Sequence, residues 1–313
     1  MKCIVTGATG FIGAALCREL LRKGDEVFAV VRPKSARMHK LKDLQADTPA
    51  AETRLHVVEA DLGRLGEVLS KTQVHADVFY HLAWNGSAGA EREDFNIQQK
   101  NIAYTAEAIR AAKACGCTKF VGAGSQAEYG VVHGVASEDK TIPNPFMMYG
   151  AAKLAAYQMG RLLAAQIGIG FVWPRIYSVY GVGENSGTLI SYLIETLKKG
   201  ETPQLSPCEN MWNFLYIDDC VRILAALGKS EEAEGIYNVA SDDTRLLKEF
   251  VTELRDIVAP SAKLNFGART ADEKRTFWIE PDIGKMEKIV KLKYLSFAEG
   301  IRRAAQVEDK SET

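Results

Sequence analysis

The first thirteen residues constrain this chain more than any other stretch. An apolar run, Cys3-Ile4-Val5, leads into Gly7-Ala8-Thr9-Gly10-Phe11-Ile12-Gly13, and a helical pattern follows with Ala15, Leu16, Leu20 and Leu21. That order of residue types predicts strand, glycine turn, helix. Glycines at 7, 10 and 13 let the backbone approach a pyrophosphate closely, and the helix N-terminus behind them supplies N–H donors and a favourable dipole. A glycine triplet alone is a weak signal. Its place at the first strand-to-helix turn makes it a nucleotide site, with Gly7, Thr9, Gly10, Phe11, Ile12 and Gly13 as the expected cofactor contacts.

The alternation recurs. Strands are predicted at residues 26–31, 55–59, 77–82, 119–123 and 170–175, and helices at about 35–45, 93–114 and 149–166. This predicts an α/β fold, a Rossmann-type doubly wound parallel sheet with helices on both faces. Residues 1–175 form the dinucleotide-binding domain on this reading. Residues 176–313 are mainly a smaller C-terminal α+β substrate domain, with a return segment near 212–240.

Ligands of open α/β sheets bind at the carboxyl ends of the strands, so those ends supply the candidates. The second strand ends at Val31 and is followed by Arg32, where an NAD-preferring site would usually place an acidic residue. An arginine fits the 2'-phosphate of NADP, so NADP(H) is the expected cofactor and NAD(H) the alternative; a solvated arginine would look the same. Asp61 is placed to meet an adenine amino group or to cap a helix. The loop Leu82-Ala83-Trp84 opens at the fourth strand end, beside the cofactor, and His81 reads as structural. Asn101 lies in the apolar stripe of its helix, where a buried amide must find partners, either near the cofactor or in plain packing. Ser125 reaches the same edge, with Gln126 beside it, to bind a substrate oxygen or to cap a turn.

Tyr149 and Lys153 stand one helical turn apart, so the ammonium can lie near the phenol and lower its pKa toward the range of general acid/base work. The rest of the composition narrows the partners. A formal net charge of -1 and the absence of long basic runs favour neither nucleic acid nor an acidic membrane surface. No stretch approaches a membrane span and no leader pattern stands at the start, so a cytoplasmic location is expected. Six cysteines without CxxC spacing read as reduced core thiols, and five histidines without ligand spacing predict no metal site.

Taken together, the chain resembles the extended short-chain dehydrogenase/reductase family, in its nucleotide-sugar epimerase, dehydratase and reductase branch. The resemblance rests on Thr6 to Gly13, Asp61-Leu62, His81-Leu82-Ala83, Ser125 before Tyr129-Gly130, Tyr149 with Lys153, Pro174 to Gly181, and Phe214 to Asp219. It implies that Ser125 and Tyr149 bind the reacting sugar oxygen, that Tyr149 is the general acid/base, and that Lys153 holds the nicotinamide ribose. It also implies that Asp61 and Leu62 meet the adenine, and that the segment containing Ile176 passes the nicotinamide. Asn185 and one of Arg269 or Arg275, preferably Arg275, are the implied sugar or diphosphate contacts. Relatives often pair two long helices across a two-fold axis, so a homodimer is expected.

Departures narrow the reaction. Gln126-Ala127 stands where a dehydratase of this branch carries Asp-Glu, and Ala127 where a decarboxylating member carries glutamate. Ser178 replaces an asparagine common in the family. Dehydration and decarboxylation are disfavoured by Gln126 and Ala127, and the Val31-Arg32 ending then makes NADPH-dependent reduction of a keto group, at C4 of a nucleotide-linked 6-deoxyhexose, the expected activity. The alternative is an NAD-dependent nucleotide-sugar 4-epimerase, and a third reading is a non-catalytic NADP-binding sensor.

Overall fold

In a computed structural model, residues 1–47, 51–270 and 278–308 are described. The first half runs β1 (Lys2–Thr6), α1 (Phe11–Arg22), β2 (Glu26–Val31), α2 (His39–Asp47), α3 (Ala51–Arg54), β3 (Leu55–Glu59), α4 (Leu65–Lys71), β4 (Val78–His81) and α5 (Phe95–Ala114). It continues through β5 (Lys119–Gly122), β6 (Gly124–Ser125), β7 (Val135–Ala136), α6 (Met148–Ile167) and β8 (Gly170–Ile176). The rest comprises β9 (Ser178–Tyr180), α7 (Leu189–Lys198), β10 (Met211–Tyr216), α8 (Ile217–Lys229), β11 (Gly235–Val239), β12 (Thr244–Leu246), α9 (Leu247–Val258), β13 (Glu280–Pro281), α10 (Gly284–Glu287) and α11 (Phe297–Glu308).

Parallel pairing joins the main sheet in the order β11-β8-β5-β4-β1-β2-β3, with β6 beside β8. Its central strands are buried on both faces, which is why they read as continuous apolar runs: Cys3, Ile4 and Val5 are wholly shielded. The order reverses between β1 and β4. That is the switch point at which loops from neighbouring strands diverge and leave a crevice. Register sets Thr6 opposite His81, His81 opposite Gly122, and Ser125 opposite Ile176, so these strand ends share one edge.

The later residues return to this sheet through β11, while α8 packs on α1. A smaller sheet, β12-β10-β9, carries the remaining helices, joined by an aromatic cluster of Tyr180, Phe214, Phe250 and Phe297. Element ends differ from the sequence reading for local reasons. The helix expected from residue 35 begins at His39, after Pro33 and a left-handed Lys34 at φ 57°. The long helix begins at Phe95 because the Asp94 carboxylate accepts the Ile97 N–H at 2.9 Å. All six cysteines are free and buried. Among the described residues no helix is long and apolar enough to cross a membrane.

Candidate active site

The glycine turn lies at the switch point. Gly7 holds φ +71°, and a Cβ there would meet the Ala83 nitrogen at 2.8 Å; a Cβ on Gly13 would run into the Gly7 carbonyl oxygen. Gly10 begins α1 without a side-chain cap, and the first turn of α1 contains no acidic residue. Uncapped N–H groups and a positive helix end therefore face the crevice, an arrangement that fits a pyrophosphate. Phe11 and Ile12 lie half-buried at the helix start. Thr9 Oγ1 stands 3.4 Å from Ser35 Oγ, which joins the turn to the loop after β2, where Arg32 is exposed. Asp61 is also exposed and its carboxylate caps nothing, so the capping alternative is not realised; Leu62 follows it, half-buried.

Across the crevice, Thr6 Oγ1 accepts the Ala83 N–H at 3.3 Å and meets His81 Nδ1 at 2.9 Å. Burial drives His81 down to about 3, helped by the Lys153 charge, so the ring is neutral, as its structural reading requires. Leu82 bonds back to Thr6 through its backbone N–H at 3.3 Å. Asn101 holds the next residue with both ends of its amide, accepting the Asn85 N–H at 3.0 Å and donating to the Asn85 carbonyl at 2.9 Å. Its role is to position this loop. Gln98 does the same from one turn earlier, accepting from Trp84 Nε1 and donating to the carbonyls of Gly86 and Glu91.

Trp84 in turn faces the reactive pair. Lys153 Nζ lies 3.6 Å from the Trp84 ring centroid and donates to the Ala123 carbonyl at 2.6 Å, while the Trp84 and Tyr149 rings meet edge to face at 6.1 Å. Lys153 is only 3% exposed, and burial lowers its ammonium to about 7. Tyr149 sits in the first turn of α6, hydrogen-bonded to the Ser125 side chain. Burial raises its phenol, opposed first by that hydrogen bond and then by the Arg92 guanidinium. The expectation that Lys153 lowers the phenol is corrected here. The ammonium lies 5.7 Å from the Tyr149 ring centroid, is itself pushed toward neutrality, and is not among the groups that shift the tyrosine.

Ser125 serves as a cap, its Oγ accepting the Ala127 N–H at 3.2 Å. Its backbone N–H donates to Glu128 Oε1 at 2.9 Å, and the same carboxylate accepts Trp173 Nε1 at 2.9 Å and Arg175 Nε at 2.8 Å. Glu128 and Arg175 are both wholly buried. Sequence reasoning missed this pair, because Arg175 comes 47 residues later and only the β6–β8 register brings it under Ser125. Gln126 stands half-buried beside Ser125, and Ile176 lies buried at the end of β8. Asn185 is exposed on the loop before α7, its carbonyl accepting from Ser191 Oγ at 3.4 Å. Arg269 is exposed and lies over the Tyr192 ring at 5.3 Å, whereas Arg275 lies outside the described residues.

A glycine turn at the switch point and a Ser/Tyr/Lys group on the same edge are what the resemblance implies for a nicotinamide-dependent enzyme. The sequence model of the NAD dependent epimerase/dehydratase family matches residues 3–240. The chain belongs to this family. It is accordingly an enzyme of the nucleotide-sugar epimerase and dehydratase kind, with a nicotinamide cofactor. It is 28% identical over 302 residues to an uncharacterized UDP-glucose epimerase, YtcB, of Bacillus subtilis, covering 93% of this chain and 92% of the relative. Among solved structures, UDP-glucuronic acid 4-epimerase from Bacillus cereus, in complex with UDP-glucuronic acid and NAD, superposes with a TM-score of 0.82 at 25% identity, over 99% of this chain and 100% of that one. UDP-glucose 4-epimerase from Thermotoga maritima shares the fold, with a TM-score of 0.84 at 20% identity over the full length of both chains. These similarities favour NAD over the expected NADP, and epimerisation over the expected ketoreduction.

Proposed function

We propose that the protein is an NAD-dependent 4-epimerase of a UDP-linked sugar. The observation that carries this reading is the composition of the Ser125 loop. It offers one hydroxyl and one phenol to a sugar oxygen, and its only carboxylate, Glu128, is spent on Ser125, Trp173 and Arg175. Loss of water or of carboxylate would call for a free acid or base at Gln126 or Ala127, and neither side chain can serve. What remains is reversible oxidation of a carbinol, which needs one proton acceptor and one hydride acceptor.

Bound NAD would supply the hydride acceptor. The chain's own residues do the rest. Ser125 Oγ would orient the C4 hydroxyl, and Tyr149, entering as the phenolate that the positive charge of bound NAD would favour, would remove its proton in the oxidation. After the keto sugar turns its other face, the same phenol returns the proton. Lys153 and Trp84 close one side of the phenol against water, and the raised phenol is a proton donor ready for the return step. Gly7, Gly10 and Gly13 would hold the pyrophosphate, with Asp61 and Leu62 toward the adenine and Ala83 and Ile176 along the crevice.

The test is turnover of UDP-hexoses without added cofactor. Appearance of the 4-epimer supports the proposal; NADPH consumption with 4-keto sugars and no epimer would replace it with ketoreduction. A specific observation keeps that second reading in view, namely Arg32 exposed at the carboxyl end of β2. A two-fold dimer remains our proposal for the assembly. Its support is an exposed apolar pair one turn apart on α6, Met159 at 61% and Leu162 at 55%.

A further inference from the structure

The loop between β4 and α5 carries an arginine that the reaction above does not use. Arg92 places its guanidinium carbon 4.5 Å from the centre of the Tyr149 ring, and its Nε is buried without a hydrogen-bond partner. Among the described residues Arg92 makes no hydrogen bond and no ion pair. Three carboxylates of this region are engaged elsewhere, Asp94 among them as the cap of α5. Glu93 Oε2 accepts the Met148 N–H at 3.2 Å, and Glu128 is paired with Arg175.

Nor is Arg92 a loose surface group. Its loop is fastened at Trp84, Gly86 and Glu91 by the Gln98 amide and at Asn85 by Asn101, and both amides are 1% exposed. Gly86 takes φ +69°, and a Cβ there would press on Gln98 at 2.8 Å, so the loop can take no other residue at that point without strain. A cation is therefore fixed over the catalytic ring with its hydrogen-bonding capacity unspent. A buried donor left unpaired is unfavourable, and a planar guanidinium is the group best matched to a carboxylate or phosphate.

We infer that Arg92 recognises a carboxylate at C6 of the sugar, so that the preferred substrate is a nucleotide-linked hexuronate. This deepens the epimerase reading and rests on it for the placing of the sugar. Tyr149 acts at C4, and C6 is two bonds from that carbon. The diphosphate hangs from C1 on the opposite side of the ring. An anion near Tyr149 is thus the C6 carboxylate before it is the diphosphate. The Arg92 charge, held against the phenol ring, favours an anionic sugar over a neutral one.

Calorimetric binding to NAD-saturated protein carrying Tyr149→Phe tests this without turnover, because the aromatic face under Arg92 is kept. UDP-glucuronic acid, UDP-glucose and UDP are titrated into that background and into versions that also carry Arg92→Met or Arg92→Lys. With Arg92 present, the uronate should bind about ten- to a hundredfold more tightly than the hexose, the range of one charge-assisted hydrogen-bonded contact. Arg92→Met should bring the ratio near one, and Arg92→Lys should keep part of it. A ratio of one with Arg92 present, a ratio unchanged in Arg92→Met, or equal weakening of all three ligands would overturn the assignment, the last by placing Arg92 at the diphosphate. Selective uronate binding by protein that yields no 4-epimer would leave the assignment standing and remove the epimerase reading instead.

Discussion

Replacing Glu128 tests whether the buried pair under Ser125 organises the site. In Glu128→Gln the amide oxygen can still accept from Ser125 and Trp173, but an NH2 group then faces the Arg175 Nε–H that the carboxylate held at 2.8 Å. A wholly buried guanidinium loses its counter-charge. Breaking such a pair from one side costs about 3–5 kcal/mol, and Arg175→Met should cost the same from the other side. The double variant Glu128→Gln/Arg175→Met removes both charges of the pair and keeps the Ser125 and Trp173 donors satisfied, leaving only the new amide NH2 unpaired, so it should lose about 1–3 kcal/mol. Thermal unfolding of the four proteins measures the cycle, with single-variant losses on the order of 5–15 °C. Ser125 should shift with its anchor, so the single variants should also turn over more slowly below their melting points. Additive losses, or single variants within about 1 kcal/mol of the parent, would refute the reasoning.

Further outcomes follow from the same geometry. Gly13→Ala forces a methyl into the Gly7 carbonyl, so the purified variant should lose its bound nicotinamide nucleotide, measured by release on denaturation; retention at the parent level would show that the turn can move. His81 titrates at about 3 in the fold against 6.5 for a free side chain, so the unfolded chain binds the extra proton between those values and stability should fall as pH drops from about 6.5 to 3. That loss is on the order of 3–5 kcal/mol, and His81→Asn should flatten it in urea unfolding followed across pH; an equal slope in both proteins would assign the loss elsewhere. Leu162→Glu should convert a dimer to monomer in light scattering, since it sets a charge in the exposed α6 face; an unchanged mass would move the interface or remove it.

Local signals carried the reading where function is local. The glycine turn announced the switch point because backbone approach to a pyrophosphate admits few residues, and Tyr149 and Lys153 announced themselves by helical spacing. Signals that depend on register were hidden. Glu128 looked like any acidic residue after a strand until β6 paired with β8 and brought Arg175 to it. The direction of the Tyr149 shift was misjudged for a similar reason. Spacing places a cation one turn away, but burial acts on phenol and ammonium alike and pushes both toward neutrality. Arg32 pointed to NADP from its place in the chain, and the fold leaves it exposed at the carboxyl end of β2. Arg92 carried no motif; only the folded loop, held by Gln98 and Asn101, lays it over Tyr149.

The central claim is that Tyr149 takes the proton from the C4 hydroxyl and returns it within one reversible oxidation at that carbon, for which bound NAD would supply the hydride acceptor. The most direct test follows a UDP-hexose deuterated at C4, glucose or glucuronic acid, through reaction without added cofactor. The account predicts a 4-epimer that keeps its deuterium at C4 and gains none from solvent, and no such product from Tyr149→Phe. Deuterium lost to solvent, or product formed only when NADPH is supplied and consumed, would contradict it.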